Sequence, residues 1–436
     1  MTTQTTTRRE IKVDYLARVE GEGALNIVTE DGAITHLELR IFEPPRFFEA
    51  FLRGRSYLEA PDITARICGI CPVAYQMSAI HAMEKIVRLT VSPEIRALRR
   101  LYYCAEWIQS HALHVYLLHA PDFLGCDSAI AMAAKPELRP TVERGLRMKQ
   151  IGNQLLAIIG GREVHPITPC VGGFYRAPAR SELRALRDAL QWGLDAAVET
   201  VAWTASLVWP DFVPDYEFVA LSHPTEYPMN EGRVVSSKGL DIPVEQFERY
   251  FEEEHLAHTN ALHAQRIGGG SYFVGPLARV NLNLDKLSPA AQAALRQTGL
   301  TFPNYNPFAS IVARSLELVH AFEEAIQLID AYEPPRPSRL PVQPRAGDGG
   351  HITEAPRGML YHRYRIGSDG LIQNAHIWAP TSQNLKRMED DLRAFVPQVL
   401  ALPLEKATWQ CEQLIRNYDP CISCATHFLK MNIKRQ

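Results

Sequence analysis

Four long stretches of the chain repeat apolar residues at the spacing of an α-helix, and their apolar faces are nearly continuous. These stretches are Pro93 to His119, Pro140 to Ile159, Ser181 to Val208 and Pro307 to Tyr332. Shorter helical patterns cover Phe47 to Arg53, Pro72 to about Leu89, Gln383 to Phe395 and Leu404 to Arg416. Because apolar faces this broad are buried on several sides, we predict a central bundle of long helices.

Alternation of apolar and polar residues, which is typical of strands, is confined to short segments. It predicts a small antiparallel sheet over Ile11 to Phe42 and a hairpin over Met359 to Ile377 that turns at Ser368-Asp369-Gly370. Pro210 to Pro243 is turn-rich and β-like, and the proline- and glycine-rich stretch Glu333 to Gly350 is predicted to be an irregular connection. The predicted fold class is mainly α with small β elements (α+β).

Composition narrows the choice of function. The 436 residues are 46% hydrophobic and 22% charged with a net charge of −3, which gives no reason to expect nucleic acid or an anionic membrane as a partner. No apolar run approaches the ~18 residues that span a bilayer. The polar residues Met1 to Glu10 lead into no apolar segment, so we expect a cytoplasmic protein with no membrane insertion.

Four of the eight cysteines form two Cys-x-x-Cys pairs, Cys68 with Cys71 and Cys421 with Cys424. Two thiolates on one tight turn bind a single soft metal such as zinc, nickel or the iron of a cluster. A structural Cys₄ zinc site and two unrelated redox dithiols are the alternatives. Zinc ribbons keep their pairs within a few tens of residues, whereas nearly the whole chain separates these two. A chain this long builds its own core, so a working metal centre is favoured.

The segments Arg66-Ile67-Cys68-Gly69-Ile70-Cys71-Pro72 and Asp419-Pro420-Cys421-Ile422-Ser423-Cys424-Ala425-Thr426-His427 resemble the two signature motifs of [NiFe]-hydrogenase large subunits. Further matching segments occur in the family's order: Arg18-Val19-Glu20-Gly21-Glu22-Gly23, Arg46 to Gly54, Ala355-Pro356-Arg357-Gly358 and Pro380-Thr381. The resemblance covers essentially the full chain, as one catalytic core over residues 1–427. It implies the catalytic subunit of an enzyme that reversibly cleaves H₂, similar to the cytoplasmic, bidirectional, NAD(P)-linked branch that includes the sulfhydrogenase alpha subunits.

The resemblance also implies the metal ligands. Cys68 and Cys421 would be terminal nickel ligands, and Cys71 and Cys424 would bridge nickel to an iron that carries two cyanides and one carbon monoxide. Tyr75 stands where the family usually has a histidine that donates to the bridging sulfur. Nickel and iron are therefore expected at this site, but the hydrogen bonding to the bridging sulfur is expected to differ from that in the rest of the family.

Further residues of the centre follow from the same resemblance. Arg357 would lie over the two metals and pair with Asp122 and Asp419; its plain alternative is a surface loop arginine. The other residues expected to bind the cofactor are Pro356, Pro380 and Thr381, with the threonine hydroxyl as a donor.

Catalysis is expected to use Cys421, Glu20 and Arg357. The Cys421 thiolate would take the proton from H₂ and pass it to Glu20, because a guanidinium is a very poor base. Without the resemblance, Glu20 would be a hairpin-end carboxylate in water.

The resemblance places a second metal, magnesium or iron, on Glu49, His427 and the Ile377 carbonyl. It also implies that residues 428–436 are a maturation extension. The expected partners are an iron–sulfur small subunit, flavin- and NAD(P)-binding diaphorase subunits, a maturation endopeptidase and nickel chaperones. Electrons need such a partner, since the chain carries no second redox motif.

Other sequence features have simpler interpretations. His111, His114 and His119 are predicted to be core or interface histidines, and Gly268-Gly269-Gly270 a turn. The remaining cysteines, predicted to be small buried residues, are Cys104, Cys126, Cys170 and Cys411. Two other functions stay open: a quinone-site homologue in a respiratory complex, although such relatives lack the cysteine pairs, and a zinc-stabilised interaction protein.

Overall fold

The computed structural model describes residues 7–426, in which long helices form the core and thirteen strands form five small sheets. The helices are α1 (Phe48–Leu52), α2 (Ala60–Thr64), α3 (Pro72–Val87), α4 (Pro93–Leu113), α5 (Ala120–Phe123), α6 (Ala129–Ala134), α7 (Arg139–Gly160), α8 (Arg180–Arg184), α9 (Arg187–Ala205), α10 (Phe247–Tyr250), α11 (Pro276–Asn283), α12 (Pro289–Arg296), α13 (Ser310–Asp330), α14 (Pro380–Val399) and α15 (Leu404–Arg416). A π-helix spans His114–His119, and the 3₁₀ turns are Val244–Gln246, Leu284–Lys286, Pro307–Ala309 and Ile422–Thr426.

The strands are short. They are β1 (Arg8–Val13), β2 (Gly23–Glu30), β3 (Ala33–Ile41), β4 (Pro169–Cys170), β5 (Gly173–Phe174), β6 (Val219–Ser222), β7 (Arg233–Ser236), β8 (Asp241–Ile242), β9 (Phe251–His255), β10 (Leu262–Arg266), β11 (Gly347–Ala355), β12 (Gly358–Ile366) and β13 (Ile372–Trp378). All of the paired strands are antiparallel.

The predicted bundle of long helices is confirmed. Helix α4 packs against α7 and α13, and α13 packs against α9. A Cβ atom at Gly152 would lie 2.7 Å from the Gln109 backbone nitrogen, so α7 approaches α4 closely only because residue 152 has no side chain. The prediction of one helix from Ser181 to Val208 was wrong, because the chain turns after α8 and restarts as α9.

The predicted small antiparallel sheet at the N-terminal end is confirmed, and its strand order is β1-β2-β3. The predicted hairpin is β12 with β13, but β11 adds a third strand, and its first residues, Gly347 to Gly350, end the stretch that was predicted to be irregular. Its glycines allow close packing: a Cβ atom at Gly349 would lie 2.8 Å from Ile86 Cγ1 on α3. The absence of side chains at Gly347 and Gly349 therefore lets the start of this strand pack closely against α3.

The segment that follows β1 pairs with the last turn of the described chain. Glu20 and Cys421 form a parallel β-bridge, in which the Ile422 amide donates to the Glu20 carbonyl at 2.8 Å. The last turn consequently lies beside the N-terminal sheet and the start of α3. Within residues 7–426, no helix is both long enough and apolar enough to cross a bilayer.

Candidate metal centre

The four motif cysteines converge at one buried point. The sulfurs of Cys68 and Cys421 are 3.6 Å apart, although 353 residues separate them in the sequence. The sulfurs of Cys68, Cys71 and Cys424 lie within 4.8 Å of one another, and those of Cys421 and Cys424 are within covalent bonding distance. None of the four residues is more than 4% exposed.

Local structure fixes each cysteine pair. Pro72 begins α3 immediately after Cys71, and the amides of Ile70 and Cys71 each donate to Cys68 Sγ at 3.3 Å. The Cys424 amide donates to the Cys421 carbonyl at 3.1 Å in the last 3₁₀ turn. Each pair therefore sits on one tight turn, as the spacing predicted.

A soft metal fits this donor set. The Cys71 thiol forms a hydrogen bond with Cys68 and is buried, and both effects raise the pKa of Cys71 well above its ordinary value. Four thiolates packed together without a cation would be strongly destabilised. Cations such as nickel and iron remove the thiol protons and supply the missing positive charge.

A buried arginine lies beside the sulfurs. Arg357 donates from Nε to the Asp419 carbonyl at 2.7 Å and from Nη2 to Asp419 Oδ1 at 3.1 Å. Its Nη1 atom and Asp419 Oδ2 are buried without hydrogen-bond partners. Burial raises the pKa of Asp419, and Arg357 opposes that rise. The pair leaves one donor and one acceptor unused, which suits a polar group bound between them.

The predicted pairing of Asp122 with Arg357 was wrong. Asp122 accepts two hydrogen bonds from Arg416, at 2.6 and 2.7 Å, and one from Arg18 at 2.5 Å. Asp122 pairs with Arg416 because Asp122 on α5 faces the last turn of α15, where the Arg416 guanidinium donates to both of its carboxylate oxygens. Asp122 thus supports the segment that leads to Cys421.

Glu20 contacts the sulfur that was predicted to release a proton to it. Cys421 Sγ lies 3.1 Å from Glu20 Oε2, and the Ser423 amide donates to the same oxygen at 3.1 Å. The Ser423 hydroxyl then donates to Glu43 Oε2 at 2.9 Å. Glu43 and Ser423 therefore extend a polar path from Glu20 toward solvent.

Two further residues hold the cysteine turns, and neither was predicted to lie at the site. Arg46 Nη2 donates to the Ile67 carbonyl at 2.7 Å and also bonds the Ser423 carbonyl, so it ties the two motifs together. Glu106 is fully buried and accepts from the first amides of α3, Val73 at 2.7 Å and Ala74 at 3.1 Å. Arg46 opens a segment that already matched the family, whereas nothing near Glu106 in the sequence marks it as different from its apolar neighbours.

Thr381 and Tyr75 border the centre. Thr381 Oγ1 accepts from the Cys421 amide at 2.9 Å, so the hydroxyl keeps its own proton for another acceptor. Pro380 begins α14, and the Pro356 carbonyl accepts from Arg279 at 3.0 Å. Tyr75 is fully buried, its hydroxyl has no hydrogen-bond partner, and burial raises its pKa well above the ordinary value. No hydrogen bond joins Tyr75 to a sulfur in residues 7–426.

Part of the predicted second metal site is described. The Ile377 amide donates to Glu49 Oε1 at 2.8 Å, which brings these two residues together. His427, the third predicted ligand, lies outside the described residues, as does the predicted extension 428–436.

The simpler interpretations are confirmed. His111, His114 and His119 are buried, and His111 lies 2.8 Å from Glu317. The other four cysteines are buried, and the Gly270 amide closes a turn onto the Arg266 carbonyl at 3.2 Å.

Four buried cysteines beside the start of α3 and the β12–β13 hairpin, with a carboxylate next to one sulfur, are typical of a protein that binds soft metals. The chain belongs to the nickel-dependent hydrogenase family, whose sequence profile matches residues 46–141 and 260–427. It is the large, catalytic subunit of a [NiFe]-hydrogenase, an oxidoreductase that acts on H₂. The predicted family, fold class and activity are thereby confirmed.

Known relatives match over almost their whole lengths. Sulfhydrogenase 1 subunit alpha of Pyrococcus furiosus is 34% identical over 97% of this chain and 98% of that protein. The NAD-reducing hydrogenase HoxS subunit beta of Cupriavidus necator is 27% identical over 97% of this chain and 95% of that protein. The crystal structure of an NAD⁺-reducing [NiFe]-hydrogenase in the H₂-reduced state has a TM-score of 0.85 and 27% identity, and the match covers 97% of this chain and 100% of that one.

Proposed function

We propose that Cys68, Cys71, Cys421 and Cys424 hold a nickel–iron centre at which this subunit cleaves H₂ reversibly. In this proposal Cys68 and Cys421 would bind nickel, and Cys71 and Cys424 would be shared with the iron. The observation that carries the proposal is the convergence of four buried sulfurs beside Glu20. The centre supplies the Lewis-acid and redox chemistry that polarises H₂ and accepts its electrons.

The iron carries two cyanides and one carbon monoxide in this proposal. Two donors are available to such ligands: the Arg357 Nη1 group, which has no hydrogen-bond partner, and the Thr381 hydroxyl proton. Pro356 and Pro380 would form an apolar surface beside these iron ligands and add no backbone N–H donor.

The chain's own residues move the proton. Cys421 Sγ takes it when H₂ is cleaved and hands it to Glu20 Oε2 along the existing 3.1 Å contact. Glu20 is partly exposed, and the Ser423 hydroxyl links its surroundings to Glu43. Arg357 stays protonated throughout and keeps Asp419 charged beside the centre.

Infrared spectroscopy of the purified enzyme tests the centre. Cyanide and carbonyl stretching bands, with one nickel and at least one iron per chain, are expected together with H₂ turnover. Zinc in place of nickel, with none of these bands, would contradict the proposal and favour a structural Cys₄ site.

The electrons leave through an iron–sulfur partner subunit that covers the surface next to Cys68. Cys68 is 3% exposed, yet the adjacent Gly69 reaches the surface. The neighbouring loop presents Val164 and Ile167, which are 46% and 51% exposed. Gly69 is small, lies next to the proposed ligand Cys68 and is near exposed apolar side chains. This surface therefore suits the docking of an electron-carrying subunit.

A charge at the centre of this surface tests the docking. Val164→Glu is expected to reduce co-purification of the iron–sulfur subunit at least tenfold. Ile130→Glu, at an 83% exposed position elsewhere, is the matched control and is expected to leave co-purification unchanged. Equal co-purification in both variants would place the partner on another face.

The electrons pass from that subunit to NAD(P) through flavin-binding diaphorase subunits. The relatives named as NAD-reducing hydrogenases support this acceptor. Reduction of NAD⁺ or NADP⁺ by H₂ in the purified complex, and its absence from the isolated large subunit, is the test. A complex that reduces neither nucleotide would refute the assignment.

A second, hard metal ion, magnesium or iron, binds Glu49, the Ile377 carbonyl and His427 in this proposal. Residues 428–436 are then a maturation extension, because nine residues beyond a metal ligand would obstruct closure of the site over Cys421 and Cys424. An endopeptidase removes them after nickel chaperones load the centre. Intact-mass measurement of active enzyme is expected to end at residue 427, and fully active enzyme that ends at Gln436 would refute the cleavage.

A further inference from the structure

A second cluster of potential metal ligands lies away from the four cysteines, where the loop after β9, strand β10 and helix α14 meet. His258 is in the loop, His263 is the second residue of β10, and Glu389 is in the middle of α14. Each residue offers one ligand atom, and the three atoms lie within 4.8 Å of one another.

Glu389 is oriented for this cluster. It is 3% exposed, and its Oε1 accepts from the Leu39 amide of β3 at 3.1 Å and contacts His258 Nε2 at 2.9 Å. Its other oxygen lies 3.5 Å from Arg393. The backbone and the arginine together hold the carboxylate so that Oε1 faces the histidines.

His263 has no protein partner for either ring nitrogen, although it is only 2% exposed. Its ring stands edge-on to that of His258, with 6.0 Å between the centroids. Buried polar groups almost always have a partner, and an imidazole that lacks one destabilises the fold. Within residues 7–426, both ring nitrogens of His263 are therefore available to bind a ligand.

We propose that His258, His263 and Glu389 bind one zinc ion, with a water molecule in the fourth position. Two imidazoles and one carboxylate are a ligand set that zinc prefers, in tetrahedral geometry. Bonds of about 2.0–2.2 Å bring the ligand atoms to ~3.4 Å from one another, which small rotations of the three side chains achieve. Zinc takes the place of the hydrogen bond between His258 Nε2 and Glu389, and the neutral His258 ring carries its one proton on Nδ1.

The position of the ion defines its role. Between the two histidines, the Asn260 amide donates to the Ile41 carbonyl at the end of β3 at 2.7 Å. The ion would therefore fasten the N-terminal sheet to α14, the helix that carries Thr381 at its start. It acts as a structural clamp, distinct from the four-cysteine centre.

Metal analysis of the purified holoenzyme tests the proposal. The protein is equilibrated with one equivalent of zinc and desalted, and zinc, nickel and iron are measured per chain. One zinc is expected in the wild type, and at least tenfold less in His263→Gln and in His258→Gln. His36→Gln is the matched control, because His36 also pairs with a glutamate, at 3.4 Å, but at the surface and without a third ligand.

Nickel and iron in the same samples separate this site from the catalytic centre, and both are expected at wild-type levels in every variant. Equal zinc in the wild type and in both cluster variants, or no zinc in the wild type, would overturn the proposal. If His263→Gln fails to fold, His258→Gln decides, since the His258 side chain is 21% exposed.

Cobalt gives a second readout. Cobalt(II) added to the holoenzyme is expected to give the visible bands of a tetrahedral nitrogen–oxygen site, without thiolate charge-transfer bands, and His263→Gln is expected to abolish them. Thiolate bands that survive in His263→Gln would place the ion on the cysteines and refute the site.

Discussion

Glu20→Gln separates proton transfer from structural support, because the two roles predict effects of very different size. The glutamine keeps the length of the side chain and an oxygen that accepts from the Ser423 amide, which is 3.1 Å away from the Glu20 carboxylate in the wild type. It loses the charge, and with it roughly 1 kcal/mol, the difference between a charged and a neutral acceptor. The fold and the cysteine turns are therefore expected to persist.

The rate is expected to change far more than the stability. A positioned acid or base contributes about 10²–10⁴-fold to a rate, which is roughly 2.7–5.4 kcal/mol in activation free energy at 1.36 kcal/mol per tenfold. H₂ oxidation and H₂ evolution are both expected to fall by this factor, since the proton uses the same path in both directions. Glu20→Asp is expected to recover part of the rate, limited by its shorter reach.

The assay measures dye-linked H₂ oxidation and evolution, with nickel content and infrared bands on the same preparations. Glu22→Gln is the matched control, because Glu22 lies two residues away, accepts from the Tyr15 hydroxyl at 3.1 Å and has no contact with Cys421 within the described residues. Turnover within twofold of wild type in fully metallated Glu20→Gln would refute Glu20 as the relay and leave its contact with Cys421 as packing alone.

Three further variants test the centre. Cys68→Ser is expected to abolish H₂ turnover and nickel retention, because a hard oxygen replaces a soft sulfur. The control Cys104→Ser, at a buried cysteine of the bundle, is expected to keep both. A Cys68→Ser enzyme that retains nickel and activity would refute the ligand assignment. Arg357→Lys is expected to bind the metals but to turn over H₂ at least tenfold more slowly, since an ammonium cannot match the two hydrogen bonds that Arg357 donates to Asp419. Full activity in this variant would argue against a role for the Arg357 guanidinium at the centre. Glu106→Ala removes the acceptor for the first amides of α3 and is expected to cost ~1–3 kcal/mol in urea unfolding, so an unchanged midpoint would contradict the capping role.

The sequence predicted the parts of the fold that depend on periodicity. Helices α4, α7 and α13 were located nearly to their ends, because their apolar repeats run for more than five turns. Strand β11 was missed because its glycines serve packing against α3 and carry no strand propensity. Short elements such as α11 and α12 were missed because eight residues give too few repeats to recognise.

The candidate site was predicted where a motif defines it and missed where only the fold does. The cysteine pairs and Glu20 lie in matching segments, and the structure brings them together. Asp122 was assigned to the wrong arginine, because a sequence does not show which of several buried guanidinium groups a carboxylate faces. Glu106 lies in an apolar helix without a spacing signature, so only the contact with α3 reveals it.

The separation of the two ligand pairs also sets an order in time. The Cys68 turn leaves the ribosome long before Cys421 is made, since Cys421 is 353 positions further along the chain. At about 5–20 residues per second, translation leaves that half of the centre without its counterpart for roughly 20–70 seconds. A metal that arrived during synthesis would meet only two of its four sulfurs, so a complete centre is accessible only after the last turn is in place.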